Sequence, residues 1–433
     1  MILIPQEIQD LLKKPVAILG FGLSGLAVKR LLEKIECECT VYDEKYISDG
    51  VSNLFDVNQA KSHNLVVCSP GFSTKHKWVQ IARKHCKCIY GEMDFASFFW
   101  RGDLIGITGT NGKTTLSSFL AMALDRKGIR TVLAGNIGIP LSQIVADDNG
   151  ENSWLICEVS SFQAQTLTSM KFTHVLWTNF AEDHLDYHTN MEEYFKSKLN
   201  LLKSSQQTSY IGESVAKYAE MNNFCLPKNT KVVNLELEIA EKISKESPFS
   251  RLPQRKNYRM ALEFWRELGH LDEDLNHAAD LFKLPNHRLQ LLGTYQNLRF
   301  WNDSKATNFD AVIQGLKGFN KPVAWLGGGK DKKGNLDRFV EEIKDQVAYA
   351  CLIGETKDAL NDALSSKSVP CEVFENLNCA ISHLISLELD FEDIVFSPGF
   401  SSFDMFENYE HRGNSFIKVF FGLKNPSNLS IFK

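Results

Sequence analysis

The run Gly106-Ile-Thr-Gly-Thr-Asn-Gly-Lys-Thr-Thr115 sets a lysine and threonines at the end of a glycine-bearing turn that follows an apolar segment. Between a strand and a helix such a turn holds phosphate. The backbone N–H groups of Gly109, Thr110, Asn111, Gly112 and Lys113 cradle the oxygens, the Lys113 ammonium balances the β- and γ-phosphates, and the Thr114 hydroxyl ligates Mg²⁺, with Thr115 beside it. A strict phosphate loop has glycine where Ile107 stands. Three more residues suit the same chemistry. Glu158 ends the apolar run that begins at Trp154, a position from which a carboxylate holds Mg²⁺. His184 lies in a polar turn and can ligate a second ion or act on a proton. Lys198 follows Tyr194 by one helical turn; a solvated surface cation is the plainer reading of it, and Lys196 is near enough to be confused with it.

A second glycine run, Gly20-Phe-Gly22-Leu-Ser-Gly25, follows the apolar segment 15–19 and opens a helix, with Asp43 about 18 residues further on, as in dinucleotide-binding turns. Its glycines permit a tight turn and close backbone approach, and the helix N-terminus offers N–H groups to a diphosphate. An NAD(P) site and plain helix–strand packing both fit the pattern alone. Here the unit closes at Leu65-Val-Val-Cys-Ser-Pro-Gly71, before a different nucleotide motif begins. A full dinucleotide site uses two such halves. Half a site favours a nucleoside diphosphate over NAD.

These residues need a scaffold that repeats strand, turn and helix. Strands are expected at 16–19, 65–69, 104–108, 131–134, 154–159, 174–178, 323–326, 350–353 and 394–397, most of them ending in Gly, Ser, Thr or Asn. Helical stripes at i, i+3, i+4, i+7 run through Val28, Leu31, Leu32 and Ile35, through Leu116, Phe119, Leu120 and Ala123, and through Ala261, Phe264, Trp265 and Leu268. Such alternation predicts parallel sheets covered by helices, with ligands at the carboxyl ends of the strands. The polar stretch 203–250 reads as peripheral. At ~150 residues per domain, 433 residues make about three. The expected division is 1–93, 94–285 and 286–433, each boundary falling just before a new motif block.

Hydrophobic residues at 43% and charged residues at 23% exclude a disordered or low-complexity chain. With 48 basic against 53 acidic residues the net charge is -5, which speaks against nucleic acid and anionic lipid as partners. No apolar run reaches the roughly 18 residues of a membrane span, and the apolar start is broken at Pro5, Gln6 and Glu7, unlike a secretory signal. The ten cysteines show no CxxC spacing, which suits buried thiols in a reduced, cytoplasmic protein.

The form Thr108-Gly-Thr-Asn-Gly-Lys-Thr114 resembles that of the Mur ligases and the related folylpolyglutamate synthases. Gly135-Asn136-Ile-Gly138, Glu158-Val-Ser-Ser-Phe-Gln163, Asn179-Phe-Ala-Glu-Asp-His184-Leu-Asp186 and Tyr194-Phe-Lys-Ser-Lys198 are similar to successive central-domain motifs of that family. Asn286-His-Arg288, Asn302-Asp-Ser-Lys-Ala-Thr-Asn308, the loop from Gly327 to Gly334, Ser397-Pro-Gly-Phe-Ser-Ser-Phe-Asp404 and Asn408-Tyr-Glu-His-Arg-Gly413 resemble its C-terminal domain. The last block is similar to the D-glutamate-adding branch.

The resemblance implies an α/β protein of three domains: an N-terminal Rossmann-like parallel sheet, a central P-loop ATPase-type mixed sheet and a C-terminal Rossmann-like sheet. It implies an ATP-dependent amide ligase using Mg²⁺, with UDP-N-acetylmuramoyl-L-alanine and D-glutamate as substrates, working as a monomer without nucleic acid or membrane. Leu23, Ser24, Gly25, Asp43, Gly71, Asn136 and Ser160 are then expected to hold the UDP substrate. Asn257, Arg288, Asp303 and Lys305 would meet the nucleotide, and Thr307, Lys332, Ser402 and Phe403 the carboxylates of D-glutamate. Lys330 and Lys333 compete with Lys332 for that role. Lys113, Glu158, His184 and Lys198 would be catalytic; Thr114, Glu158, His184 and a carbamoylated Lys198 would ligate metal. Where the family shows a G-x-H-N-x-x-N helix start at adenine, this chain has Pro253-Gln-Arg-Lys-Asn257-Tyr-Arg-Met260, and only the first asparagine is matched. Another amino-acid specificity within the family is the nearest alternative. An NAD-dependent oxidoreductase leaves the phosphate loop unexplained, and a non-catalytic regulator leaves Lys113, Glu158, His184 and Lys198 without a purpose.

Overall fold

The computed structural model describes residues 2–424 except Ile47, Ser48, Ile137, Asp186, 237–242, Lys332, Lys333 and Leu389. Lys332, expected at the amino acid, thus lies outside the described residues, as does Asp186. The chain is α/β with three sheets. It forms two compact units, one of Met1–Phe180, Glu192–Lys242 and Tyr258–Ala279, the other of Ala181–Met191, Ile243–Asn257 and Asp280–Lys433.

The first unit holds two sheets. β1 (Val16–Leu19), β2 (Cys39–Tyr42), β3 (Val51–Ser52), β4 (Leu65–Cys68) and β5 (Cys88–Gly91) pair in the order β3-β2-β1-β4-β5, all parallel. β6 (Asp103–Thr108), β7 (Thr131–Gly135), β8 (Trp154–Glu158), β9 (His174–Trp177), β10 (Ser209–Gly212) and β11 (Thr230–Val233) pair as β11-β10-β9-β6-β8-β7. β1 and β4 are buried at every position, as strands covered on both faces must be. The stripe residues Leu116, Phe119, Leu120 and Ala123 all face inward from the helix Lys113–Arg126.

This second sheet corrects the expectation of a mixed one: all its described pairings are parallel. Its strands are joined through helices such as Lys113–Arg126 and Met191–Lys203, the long crossovers that parallel neighbours require, whereas antiparallel neighbours can be joined by a tight turn. The stretch read as peripheral supplies β10 and β11, which extend the sheet to its edge, with the helix Glu213–Met221 between them.

A seam of buried carboxylates joins the two sheets. On the helix Glu92–Ser97, Asp94 is fully buried and accepts from the backbone N–H groups of Thr168, Ser169 and Met170 and from the Thr168 hydroxyl. Glu92 accepts from Ser142 N at 2.6 Å, in the first turn of the helix Leu141–Asp147.

The second unit holds β12 (Gln290–Tyr295), β13 (Leu298–Asn302), β14 (Val323–Gly327), β15 (Val347–Leu352), β16 (Cys371–Val373) and β17 (Asp393–Phe396), ordered β12-β13-β17-β14-β15-β16. Here β12 and β13 are antiparallel, and the others parallel. Gln296 and Asn297 join the pair with φ of 47° and 67°, the two left-handed residues of a hairpin turn whose twist matches that of the strands. Successive residues alternate between cores: Trp325 packs with Val312, Leu316 and Phe339 on one face, while Ala324 and Leu326 pack with Phe396, Phe416 and Phe420 on the other.

Candidate active site

The phosphate loop leaves β6 at Thr108 and enters the helix Lys113–Arg126. Gly109 has φ 151°, and a Cβ there would lie 1.9 Å from Thr178 Oγ1, so the loop packs too closely on the end of β9 for any side chain. Asn111 is fixed from the same side: its N–H donates to Asn179 Oδ1 at 2.9 Å, and its carbonyl accepts from Thr178 Oγ1 at 2.6 Å and Asn179 Nδ2 at 3.1 Å. Lys113 curls over the loop and donates to the carbonyls of Gly109 at 2.9 Å and Thr110 at 2.8 Å.

β8 lies beside β6, which brings Glu158 opposite Ile107 in register. The carboxylate is 2% exposed and engaged at both oxygens, by Thr114 Oγ1 at 2.6 Å and Asn136 Nδ2 at 2.8 Å. On the helix Met191–Lys203, Lys198 is 1% exposed and donates to Gly109 O at 2.9 Å and Thr108 Oγ1 at 3.2 Å. Its ammonium lies 5.0 Å from the Tyr194 ring centre, and the Tyr194 hydroxyl meets Thr110 Oγ1 at 3.2 Å. Lys196 points elsewhere, to Glu192 on the surface. Lys198 is therefore the lysine at the loop.

Thr114, in the first turn of the helix Lys113–Arg126, and Glu158, at the end of β8, offer a hydroxyl and a carboxylate, hard oxygen ligands of the kind Mg²⁺ takes. Among the described residues no three His, Cys, Asp or Glu side chains form a metal cluster.

At the first glycine turn, a Cβ on Gly25 would lie 1.9 Å from Gly20 O, so the helix Leu23–Lys34 starts hard against the strand end. Asp43 accepts from Phe21 N at 2.7 Å and from Lys45 N and Tyr46 N at 2.9 Å each. Partial burial opposes its ionisation, yet these three donors hold its carboxyl below the ordinary value. Leu23 is 81% exposed at the helix start, and Gly71 is exposed in the turn after β4. Ser160 caps the helix Ser161–Thr166 in a reciprocal pair with Gln163, two residues beyond Glu158.

In the second unit, Asp303 follows β13. Its Oδ1 accepts from Leu289 N at 2.9 Å and its Oδ2 from Ser397 Oγ at 2.8 Å. Burial nevertheless pushes the carboxyl up to about 7, against those bonds and the nearby Arg288 and Arg412. Lys305 lies 3.7 Å from the ring centre of Tyr409. Ser402 is buried and Phe403 is 69% exposed on the loop after β17. Asn257 is buried and donates to Gln254 Oε1 at 2.7 Å, an amide pair that the sequence pattern did not announce.

Arg412, inside a motif quoted above but given no task, is 1% exposed on the helix Tyr409–Lys424. Nε and Nη2 donate to Ser304 Oγ and O at 3.0 and 2.8 Å, and Nη1 to Phe400 O at 3.0 Å. It thereby ties the Asp303–Lys305 turn to the loop of Ser402. Burial draws its guanidinium down to about 10. His184 has φ 57°; its side chain is one-third exposed, and Nε2 lies 3.7 Å from Asp183 Oδ2. His184 belongs to the second unit, whereas Lys113, Glu158 and Lys198 belong to the first.

A phosphate loop faced by a buried carboxylate is the apparatus of nucleotide-driven phosphoryl transfer. The same unit carries a diphosphate-type turn, and the second unit is an α/β domain carrying Arg288, Lys305 and Ser402; these are parts that a multidomain nucleotide-dependent ligase needs. Residues 107–255 match the Mur ligase middle domain, and residues 287–399 match the domain described as Mur ligase, glutamate ligase domain. A UDP-N-acetylmuramoylalanine--D-glutamate ligase of Prochlorococcus marinus (strain NATL2A) is 30% identical over 92% of this chain and 95% of its own length. The enzyme of the same name from Chlamydia pneumoniae is 30% identical over 93% of this chain and 96% of its own. The chain belongs to the Mur ligase family. Its fold is shared with the MurF ligase of Thermotoga maritima in complex with ADP (TM-score 0.56, 15% identity, 96% of this chain and 100% of that one). The MurC ligase of Thermotoga maritima is as similar (TM-score 0.56, 14% identity, 94% and 99%).

Proposed function

We propose that this ligase uses ATP to join D-glutamate to UDP-N-acetylmuramoyl-L-alanine in the synthesis of peptidoglycan precursors. The observation that carries the reading is the Lys113–Thr114–Glu158 arrangement, in a chain aligned over 92% of its length with a relative of that name.

A carboxylate is a poor electrophile because oxide is a poor leaving group. Transfer of the γ-phosphoryl group to the alanyl carboxylate makes an acyl phosphate and releases ADP; the amine of D-glutamate then attacks, and the tetrahedral intermediate expels phosphate. Both steps concentrate negative charge, so fixed cations and N–H donors matter more than a nucleophilic side chain. Lys113 and the loop N–H groups hold the phosphates. Thr114 and Glu158 would hold Mg²⁺, which would supply charge neutralisation at the transferring group. Asn257, Arg288, Asp303 and Lys305 contact the nucleotide, and Thr307, Lys332, Ser402 and Phe403 gather the D-glutamate carboxylates. Leu23, Ser24, Gly25, Asp43, Gly71, Asn136 and Ser160 bind the UDP substrate. Lys198 adds CO₂ at its neutral amine with loss of a proton, giving a carboxylate-like group beside the loop, and His184 ligates metal or accepts a proton. The protein works as a cytoplasmic monomer; its ten cysteines are all free, as suits a reducing compartment.

The test is phosphate release by the purified protein with ATP, Mg²⁺ and UDP-N-acetylmuramoyl-L-alanine, comparing D-glutamate with L-glutamate, L-alanine and L-lysine. Release that depends on D-glutamate is expected. Release indifferent to it overturns the reading.

A further inference from the structure

Asn136 stands one residue past the end of β7 and closes on the end of β8 twice. The two strands are parallel neighbours, with Gly135 opposite Glu158. The Asn136 backbone N–H donates to Glu158 O at 2.8 Å, and its side-chain Nδ2 donates to Glu158 Oε1 at 2.8 Å. Thr114 Oγ1 donates to Oε2 at 2.6 Å. Among the described residues these are the donors that meet the carboxylate, one to each oxygen. In giving its proton to Oε2, the Thr114 hydroxyl turns its lone pairs away from Glu158, the orientation in which a hydroxyl can ligate a cation. That orientation is only as fixed as the carboxylate that sets it, and Asn136 holds the carboxylate's other oxygen.

An asparagine amide carries two N–H donors and a carbonyl acceptor. One N–H of Asn136 is committed to Glu158, while the residue is exposed and the proposed function sets it at the UDP substrate. A ligand bonded to the outer side of this amide restrains its rotation, and with it the donor on Glu158 Oε1. We propose that Asn136 couples the two ligands: UDP substrate held at its outer edge fixes Glu158 and Thr114 in the arrangement that takes a divalent cation, so that each ligand tightens the other. Such coupling is reciprocal by thermodynamic necessity. Asn136 is here a positioning residue that acts on the ion through Glu158. The inference rests on the ligase reading and on its assignment of Asn136 to the UDP substrate.

Mn²⁺ binding to the full-length chain with ADP present, read by electron paramagnetic resonance, is compared with and without UDP-N-acetylmuramoyl-L-alanine. In the wild type the substrate is expected to tighten Mn²⁺ binding about five- to fiftyfold. Calorimetric titration of the substrate is expected to show the same factor when Mn²⁺ is added. In Asn136→Ala the backbone bond to Glu158 O remains, so the strand ends stay joined; the factor falls toward one while Mn²⁺ and substrate still bind separately. Asn136→Asp keeps the shape, sets an acceptor against Glu158 Oε1 in place of the donor, and is expected to lose the factor as well. A wild type without coupling, or variants that keep it, overturn the proposal, and the ligase reading stands as long as phosphate release depends on D-glutamate. Loss of all Mn²⁺ or substrate binding in both variants, the pattern of a merely structural residue, overturns it too. If the UDP substrate does not bind the wild type, the ligase reading falls and this inference with it.

Discussion

Replacing Asp303 by asparagine removes a carboxyl that burial pushes up from 3.8 to about 7. The folded chain therefore holds this proton more tightly than the unfolded chain. Stability from this group is present in full below about pH 4 and falls as the pH rises through about 7. At 1.36 kcal/mol per pKa unit, a rise of about three units costs about 4 kcal/mol once the group is ionised. Asparagine is neutral throughout. It keeps one carbonyl acceptor for Leu289 N or Ser397 Oγ and gives up the other contact, about 1 kcal/mol. The variant should be about 1 kcal/mol less stable than wild type near pH 4 and about 3 kcal/mol more stable near pH 8. Because a chain of two compact units has no single unfolding midpoint, the measurement is hydrogen exchange in β13 and β17, which flank the group, corrected for the intrinsic pH dependence. A difference in protection that stays constant between about pH 5 and 8 refutes the reasoning. It would mean that Arg288 and Arg412 outweigh burial and keep the carboxylate charged.

Three further changes probe the site. Glu158→Gln preserves the shape that meets Thr114 and Asn136 but removes the charge; phosphate release should fall about a hundredfold or more, with thermal stability nearly unchanged, and full activity would dismiss the ligand role. Lys198→Ala should lose activity that short-chain carboxylic acids partly restore, and a folded variant that no acid rescues would count against the carbamate. Arg412→Met strands the Ser304 and Phe400 carbonyls and should destabilise the third sheet by about 3–5 kcal/mol, read as loss of exchange protection around 300–304 and 400–403; unchanged protection would show the guanidinium to be dispensable.

The phosphate loop was legible because its chemistry is local: a glycine turn, a lysine and a threonine adjacent in the chain. The buried helix stripes were legible for the same reason, since period is a property of neighbours. Lys196 and Lys198 could not be separated by type, and helical phase settles them, because Lys198 shares the face of Tyr194. Arg412 was invisible as a clamp: its partners Ser304 and Phe400 are brought to it only by the third sheet. The hairpin of β12 and β13 escaped notice because its turn is Gln296-Asn297 rather than a glycine pair, although both residues take left-handed backbone. β10 and the edge strand β11 lay in a stretch whose polar composition resembles loop.

The carboxylate seam of Glu92 and Asp94 bears on how this protein can be dissected. A cut at residue 93, where the motifs change character, passes between the two acids. The downstream piece would begin at Asp94 and lose the acceptor of Ser142 N, leaving the helix Leu141–Asp147 uncapped at that position. The upstream piece would end at Met93 and keep Glu92 without its partner. Moving the cut past 97 instead strips Thr168, Ser169 and Met170 of the acceptor they share. Neither fragment is a natural unit of expression, and shuffling the first sheet onto the ATP-binding sheet of a relative would have to carry both sides of the seam together.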